Sequence, residues 1–357
     1  MSSVSQHLIK NGPVARRCDL LAAGFTDHHL RRALSAGQIF RVRHGWYARA
    51  GTADAVARAV RVGGIVTGVE ALRLRGLFLE RPDRIDIAVP RNAAALRSPE
   101  RMRQRLTGGH PIRVHWITAP RNQRRSADWL ASEDDALLLI LRIASREVAV
   151  AACDGLVRYR RWTALRLDAA FARAPARVRP WRRLVDGRAD SWGESFLRLR
   201  LQDAGLAFEP QAEVPGVGRF DGRLSPGVYV EVDGAQHDES WAGSEPSSFE
   251  RDHAKDLGLA LVGARCIRIT YALFAQRWDD CLTAMRRAVA DDGGGGGRGN
   301  ATPRRPRKLR TIAPAASQHR QWHGEQRRNP EFSHHDGTAT ASRPAASGHG
   351  RSRAPYG

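Results

Sequence analysis

The chain has 357 residues, with 58 Lys or Arg against 37 Asp or Glu, so its formal charge is +21 at pH 7. This length predicts two or three domains, and the excess of positive charge favours a nucleic-acid partner over a small neutral substrate. The most apolar run, from Ala136 to Leu141, is far shorter than the ~20 residues of a membrane span. The N-terminal residues lack the apolar stretch of a signal peptide. The four cysteines are too far apart in sequence for a zinc ribbon of CxxC pairs. We therefore expect a cytoplasmic protein that binds DNA and no membrane.

Residues 3–50 have the pattern of a small DNA-binding domain. Pro13 can open a first helix, and Thr26 is suited to cap a second helix from Asp27 to Ala36. The alternating segment IFRVRHGWYA then predicts two short strands joined by a turn. Helix, turn, basic helix and hairpin in this order are typical of a winged helix-turn-helix, whose second helix enters the major groove. The side chains expected to contact DNA are His28, Arg31, Arg32, Arg41 and Arg43. The alternative is a solvated basic helix in a small helical domain.

Residues 51–185 contain no recognisable catalytic motif and predict a connecting α+β region. Helices are expected from Ala53 to Val62 and from Ala131 to Ala144, with more helix through Phe171. Strands are expected from Arg84 to Pro90 and from Ile112 to Thr118, where apolar and polar residues alternate.

The most informative pattern lies between residues 190 and 290. It predicts, in chain order, a helix from Ser191 to Gly205, a strand or loop reaching Asp221, a turn at residues 225–227, a strand from Val228 to Val232, a helix from Phe249 to Gly263, a strand from Arg265 to Thr270 and a helix from Leu273 to Ala290. A helix, a hairpin and a further helix, strand and helix form an α/β sandwich of ordinary domain size.

Two carboxylates stand at matching positions of the predicted hairpin. Asp221 lies four residues before the turn and Glu231 four residues after it, so both side chains can meet at one end of the strand pair. Glu231 interrupts an apolar strand, where an unpaired charge is costly. Mg²⁺ binds carboxylate oxygens and would remove that cost, and such an ion can polarise a phosphodiester. A nearby cationic side chain would stabilise the charge that develops on the phosphate.

At these residues the sequence resembles the PD-(D/E)XK nuclease superfamily, and within it looks like uncharacterised bacterial proteins related to very-short-patch mismatch-repair endonucleases. The resemblance is carried by SWGESFLRLRLQDAGL, RFDG, VYVEVDGAQH and FERDHAKDLGLALVGARCIRIT. It implies a restriction-endonuclease-like fold and a DNA endonuclease that requires Mg²⁺ or Mn²⁺. The implied catalytic residues are the metal ligands Asp221, Glu231 and Asp233, the assisting Glu194, His237 beside the attacking water and Lys255 beside the phosphate.

The chain departs from the superfamily pattern two residues after Glu231, where many members have Lys and this chain has Asp233. Three interpretations stay open: the cation has moved to Lys255, Asp233 is a further metal ligand, or activity is lost. Each residue also has a structural interpretation. These are a capping box with Ser191 for Glu194, a turn for Asp221 and Asp233, a structural role for Glu231, an exposed loop position for His237, and a helix ion pair with Asp252 or Glu250 for Lys255.

The N-terminal segment carries a second resemblance. GPVARRCDLLAAGFTDHHLRRALSAGQIFRVRHGWYA is similar to the winged-helix domain of the AbiEi family of type IV toxin–antitoxin antitoxins, most closely in QIFRVRHGWYA. The resemblance implies DNA binding, repression of the protein's own operon and a cognate toxin as partner.

We therefore predict four parts: a winged helix-turn-helix at 1–50, an antitoxin-like connecting region at 51–185, an endonuclease-like α/β domain at 186–291 and a disordered basic tail at 292–357. The tail is too polar and too charged to fold; it either holds DNA through charge or is a reading-frame extension without a role. Two functions stay open. One is a metal-dependent DNA endonuclease in phage defence or repair. The other is a non-catalytic, antitoxin-like transcriptional regulator with a degenerate nuclease fold.

Overall fold

A computed structural model of the chain describes residues 3–117, 129–233 and 248–293, with side chains of the last range from residue 253 onward. This part of the chain is a mixed α/β structure with three small sheets, as predicted. His237 and nearly all of the predicted tail lie outside the described residues. None of the helices in the three described ranges combines the length and apolar character needed to cross a membrane.

The first fifty residues form a winged helix-turn-helix. Its elements are α1 (Val4–Asn11), β1 (Val14–Arg16), α2 (Arg17–Ala22), α3 (Asp27–Ser35), β2 (Ile39–Arg43) and β3 (Trp46–Arg49). The strands lie in the order β1-β3-β2. Leu8, Leu20, Leu30 and Tyr47 are buried together and hold α3 against the sheet.

The predicted basic helix and hairpin are confirmed. A capping box begins α3: the Thr26 hydroxyl accepts from the His29 backbone N–H, and His29 Nδ1 accepts from the Thr26 backbone N–H. The expectation that Pro13 opens a helix is wrong. The residues after it pair with β3 as the edge strand β1, so the helix begins only at Arg17.

The middle of the chain is mostly helical around a three-stranded sheet. Its elements are α4 (Asp54–Val62), β4 (Ile65–Val66), α5 (Gly68–Leu74), β5 (Ile85–Pro90), β6 (Ile112–Ile117), α6 (Glu133–Ile143), α7 (Arg146–Arg160), α8 (Ala164–Arg173) and a 3-10 helix (Ala176–Leu184). β4 is antiparallel and β6 parallel to the central strand β5. The buried carboxylate of Asp86 on β5 lies 2.7 Å from His115 Nε2.

The C-terminal part is an α/β sandwich, as predicted. Its elements are α9 (Trp192–Asp203), β7 (Glu209–Val214), β8 (Gly218–Ser225), β9 (Val228–Asp233), α10 (Ser248–Leu261), β10 (Arg265–Thr270), α11 (Tyr271–Gln276) and α12 (Trp278–Gly293). β7, β8 and β9 form an antiparallel meander, and β10 is parallel to β9 after the α10 crossover. One face buries Val228 and Val230 in the main core, while Phe220 and Tyr229 pack with Leu259 of α10.

Two details of the last helix differ from the prediction. The single helix expected from Leu273 is divided at Arg277, which has φ −135° and ψ 40° and bonds Asp280 with its Nε at 2.8 Å. The helix also continues two residues into the predicted tail. Its Asp292 accepts the backbone N–H of Gly227 at 3.0 Å, which fastens the end of α12 to the β8–β9 turn.

A buried carboxylate joins the middle of the chain to the C-terminal part. Asp154 on α7 is 1 % exposed and accepts from the Ser195 hydroxyl at 2.7 Å and from Arg198 Nη2 at 2.8 Å, both on α9. It also accepts from the backbone N–H of Asp186 at 2.7 Å. Burial raises the pKa of Asp154 to about 6 despite these partners. Because all three donors point at one carboxylate, the position of α9 relative to α7 is fixed.

Replacing Asp154 should therefore destabilise the protein strongly. We expect Asp154→Ala to lower the free energy of unfolding by about 3–5 kcal/mol, because the Arg198 charge is left buried without its partner. Asp168→Ala is the matched control, since Asp168 pairs with Arg182 at the surface and such a pair is worth about 0–1 kcal/mol. Urea unfolding followed by circular dichroism measures both, and equal losses in the two variants would contradict this account.

Candidate functional site

The predicted DNA-contacting side chains lie on the outer face of the winged helix. His28, Arg31 and Arg32 are exposed on α3, and Arg41 is exposed on β2. An ion pair at 2.5 Å between Arg17 and Asp27 ties the first turns of α2 and α3 together. Helix α3 is thus held by the core beneath it and, at its first turn, by this ion pair, while Arg31 and Arg32 face solvent.

Arg43 has a different environment from the other four. Its Nη1 donates to the carbonyl of Val60 on α4 at 3.2 Å, and a Cβ at Gly63 would come within 2.9 Å of the same atom. Burial lowers the pKa of Arg43, with a further contribution from Arg97. The structure therefore places this side chain at the junction between the wing and α4, and leaves Arg41 as the exposed arginine of β2.

Four of the predicted acidic-site residues form one cluster around β9, which we call the acidic cluster: Glu194, Asp221, Glu231 and Lys255. Glu231 is buried, and each of its oxygens faces a cation. Lys255 Nζ on α10 lies 2.8 Å from Oε1, and Arg268 Nη1 on β10 lies 2.7 Å from Oε2. Lys255 also donates to the Arg219 carbonyl at 2.9 Å and lies over the Phe220 ring. The buried charge predicted from the sequence is therefore present and is neutralised by side chains.

Asp221 lies beside Glu231, but among the described residues no cationic side chain pairs with it directly, and Lys255 favours its ionised form only in part. It precedes the β8–β9 ladder, which begins where Gly222 faces Val230, and its Oδ2 accepts the Val232 backbone N–H at 2.8 Å. Burial raises the pKa of Asp221 to about 7, and the negative charges of Glu194 and Glu231 add to the effect. The ionised form of this carboxyl is consequently disfavoured relative to that of an exposed aspartate.

Glu194 approaches the cluster from the first turn of α9. The Ser191 hydroxyl accepts its backbone N–H at 3.2 Å, as the capping interpretation predicts. Its carboxylate instead accepts from the backbone N–H of Asp190 at 2.9 Å and from the Gln211 side-chain amide. Burial raises the pKa of Glu194. The predicted capping box is thus only half formed: Ser191 caps the helix, while the Glu194 carboxylate bonds Asp190 and Gln211 within the cluster.

Two further predicted residues stand apart from these contacts. Asp233 is half-buried at the last position of β9, in register with Thr270 of β10. His237 lies outside the described residues. Within the described ranges, no group of three or more His, Cys, Asp or Glu side chains is arranged to hold a metal ion. The magnesium site thus stays a prediction, and the side chains that are described do not complete one.

Two further residues, which the sequence did not reveal, bond members of the cluster. Arg268 faces Glu231 because β10 pairs in parallel with β9 in that register; the signal available was an arginine inside the otherwise strand-like RCIRIT. Gln211 has a left-handed φ of 57° on β7, where the register with β8 places it opposite Asp221, between the Pro210–Gly222 and Ala212–Phe220 pairs. Its side-chain amide donates to Glu194, and a single left-handed residue within a strand leaves little signal in a single sequence.

Comparison with known proteins identifies the N-terminal domain. Residues 3–50 match the model of a family described as transcriptional regulator, AbiEi antitoxin. The matched segment coincides with the winged helix-turn-helix, so the resemblance noted in the sequence is confirmed there. No curated protein matches the chain. The resemblance of residues 190–290 to nucleases stays a prediction.

The raised pKa of Asp221 predicts how stability depends on pH. The folded protein retains a proton that the unfolded chain, with an ordinary pKa of 3.8, has lost, so this group lowers stability progressively as pH rises from about 4 to 7. We expect Asp221→Asn to unfold at higher urea concentration than the wild type at about pH 8, with the difference shrinking as pH falls to about 4. Asp203→Asn, a change at an exposed ion pair, serves as the control. A gain for Asp221→Asn that is equal at every pH would show that ionisation is not its cause.

Proposed function

We propose that the protein is a DNA-binding transcriptional regulator of the antitoxin type. The observation that carries this proposal is the winged helix-turn-helix of residues 3–50, which matches an antitoxin regulator family and presents Arg31 and Arg32 on the exposed face of its second helix. In such a domain the second helix enters the major groove. Its arginines contact phosphates or guanine edges there, and Arg41 reaches the backbone beside the groove.

A regulator of this type would bind the promoter of its own operon and act together with a toxin protein. The net charge of +21 supports the DNA partner, since positive charge increases affinity and the rate of encounter with DNA. The match to an antitoxin family supports a cognate toxin as the protein partner. A toxin gene next to this one would add to that support.

The arginines of α3 should account for a measurable share of DNA affinity. We expect the double variant Arg31→Gln/Arg32→Gln to bind a duplex from the protein's own promoter more weakly, and the slope of log K against log salt to fall by about 0.9 for each lost phosphate contact. Fluorescence anisotropy at several salt concentrations measures both quantities. Arg182→Gln, at a surface ion pair with Asp168 on the middle region, is the control. An unchanged slope in the double variant would show that α3 does not contact the DNA backbone.

A second candidate function is metal-dependent hydrolysis of DNA phosphodiesters by the acidic cluster. One observation favours it: burial and two neighbouring carboxylates disfavour the ionised form of Asp221, so a divalent cation would relieve a repulsion that the fold leaves in place. Lys255 lies next to Glu231. It could therefore supply the positive charge that many nucleases of the superfamily place at the position of Asp233. Both Glu231 oxygens are already paired with cationic side chains. This pairing favours the regulator with a degenerate nuclease fold, because it leaves Glu231 less available to a metal ion.

A cleavage assay separates the two candidates. A nuclease would cut plasmid or oligonucleotide DNA in the presence of Mg²⁺ or Mn²⁺, and Asp221→Asn and Glu231→Gln would each abolish cutting while Asp168→Asn would not. The regulator would bind the promoter duplex tightly and leave every substrate intact. Cutting that persists in the Asp221 and Glu231 variants would assign the activity to a contaminant or to another site.

A further inference from the structure

Two aromatic rings lie side by side in solvent where the middle region meets the C-terminal part. Phe78, in the segment between α5 and β5, is 51 % exposed, and Tyr159, near the end of α7, is 40 % exposed. Their ring centroids are 6.0 Å apart at an interplanar angle of 65°. Single exposed apolar side chains are ordinary, but paired exposed rings form a surface that can bind another flat ring. This pair therefore offers an exposed aromatic surface on which a flat ring can stack.

Two arginines stand beside this aromatic pair and are oriented by one residue. Arg158 Nη2 on α7 lies 2.6 Å from Asp190 Oδ1, and Arg219 Nη2 on β8 lies 2.7 Å from Asp190 Oδ2. The Tyr159 hydroxyl donates to the carbonyl of the same Asp190. Each guanidinium has five N–H donors, so the bond to Asp190 fixes its position and leaves further donors for an anion. The side chains of Arg158 and Arg219 are 40 % and 57 % exposed.

The same surface continues to the acidic cluster. The backbone N–H of Asp190 donates to Glu194 at 2.9 Å, and the carbonyl of Arg219 accepts from Lys255 at 2.9 Å. Asp190 therefore contacts Tyr159, both arginines and Glu194 directly, and Phe78 joins this group through its ring contact with Tyr159.

We propose that Phe78, Tyr159, Arg158 and Arg219 form a second nucleic-acid site, which binds a single strand of DNA. The rings offer faces on which bases stack, and the guanidiniums offer bonds to the adjoining phosphates, which together are the features of single-strand binding surfaces. A duplex presents base edges in its grooves and keeps the faces stacked, so it fits the rings poorly. A free phosphate would use the arginines alone and leave the rings unexplained. The winged helix contains none of these four residues, so this site is additional to the proposed regulator function.

The test measures binding of a fluorescein-labelled oligothymidylate of about 12 nucleotides to the full-length protein by anisotropy. Phe78→Ala and the double variant Arg158→Gln/Arg219→Gln should each weaken oligothymidylate binding about tenfold. Phe78→Trp, which keeps an aromatic face, should bind the oligothymidylate as tightly as the wild type. Promoter duplex binding by the same Phe78→Ala protein should be unchanged. Urea midpoints of all variants establish that the fold is intact. If Phe78→Ala lowers the midpoint, Phe78→Leu replaces it, because leucine keeps apolar contacts and lacks a ring face.

Three controls make the result specific. Leu165→Ala removes an apolar side chain that is 79 % exposed on α8, and Arg146→Gln removes an arginine from a surface pair with Asp203; neither should alter oligothymidylate binding. The Arg31→Gln/Arg32→Gln variant should lose duplex binding and keep oligothymidylate binding. The proposal is overturned if Phe78→Ala binds as tightly as the wild type, or if the α3 variant alone loses the oligothymidylate. Because duplex and single strand are measured separately, failure of this site and failure of the regulator function give different results.

Discussion

The contact between α7 and α9 determines how the rest of the C-terminal part is placed, and the buried Asp154 carboxylate defines that contact. Asp154 receives a hydroxyl, a guanidinium and a backbone N–H at one point. Glu194 lies in the first turn of α9 and so brings a carboxylate to the β8–β9 hairpin, while Arg158 and Tyr159 lie in the last turn of α7. Both surfaces described near the sandwich therefore depend on one helix packing. A buried carboxylate is suited to this task because its hydrogen bonds have fixed directions, whereas apolar packing alone would permit α9 to slide.

The acidic cluster contains two carboxylates that the fold treats in opposite ways. Glu231 has a cation at each oxygen, so its charge is balanced within the protein and its desolvation is offset. Asp221 accepts a backbone N–H and lies next to other acids, and the charge of Lys255 does not outweigh burial and these acids, so its charge is only partly balanced. A site that served only to hold the sheet together would gain from a neutral residue at position 221. Asp221 is the reason for keeping DNA hydrolysis as a candidate function. The pairing of Glu231 with two cations is the reason for ranking hydrolysis below the regulator.

The fold class, the winged helix and most elements of the C-terminal part follow from local patterns in the sequence, although these patterns did not separate β7 from β8. Alternation identified the strands, and caps such as Thr26 and Ser191 marked where helices begin. The grouping of Asp221 with Glu231 could be predicted because a short turn fixes which residues face each other. Arg43 could not be placed, because its partner is a carbonyl on α4 and sequence shows only that an arginine lies in the wing. Arg268 and Gln211 were missed for a related reason: the parallel register that faces Arg268 with Glu231 and the contact of Gln211 with Glu194 both join chain segments that are distant in sequence.

The inward orientation of Arg43 affects how independent the first fifty residues are. Its guanidinium bonds a residue of α4, and Val42 and Ala48 of the wing belong to the main hydrophobic core rather than to the small core under α3. The segment that matches the antitoxin family is therefore recognisable in sequence but is not a self-contained module. Fusing it to another protein at residue 50 would uncover one side of the wing. A winged-helix domain transferred from this chain to another protein should therefore include α4. Its structural boundary lies beyond residue 50, where the family match ends.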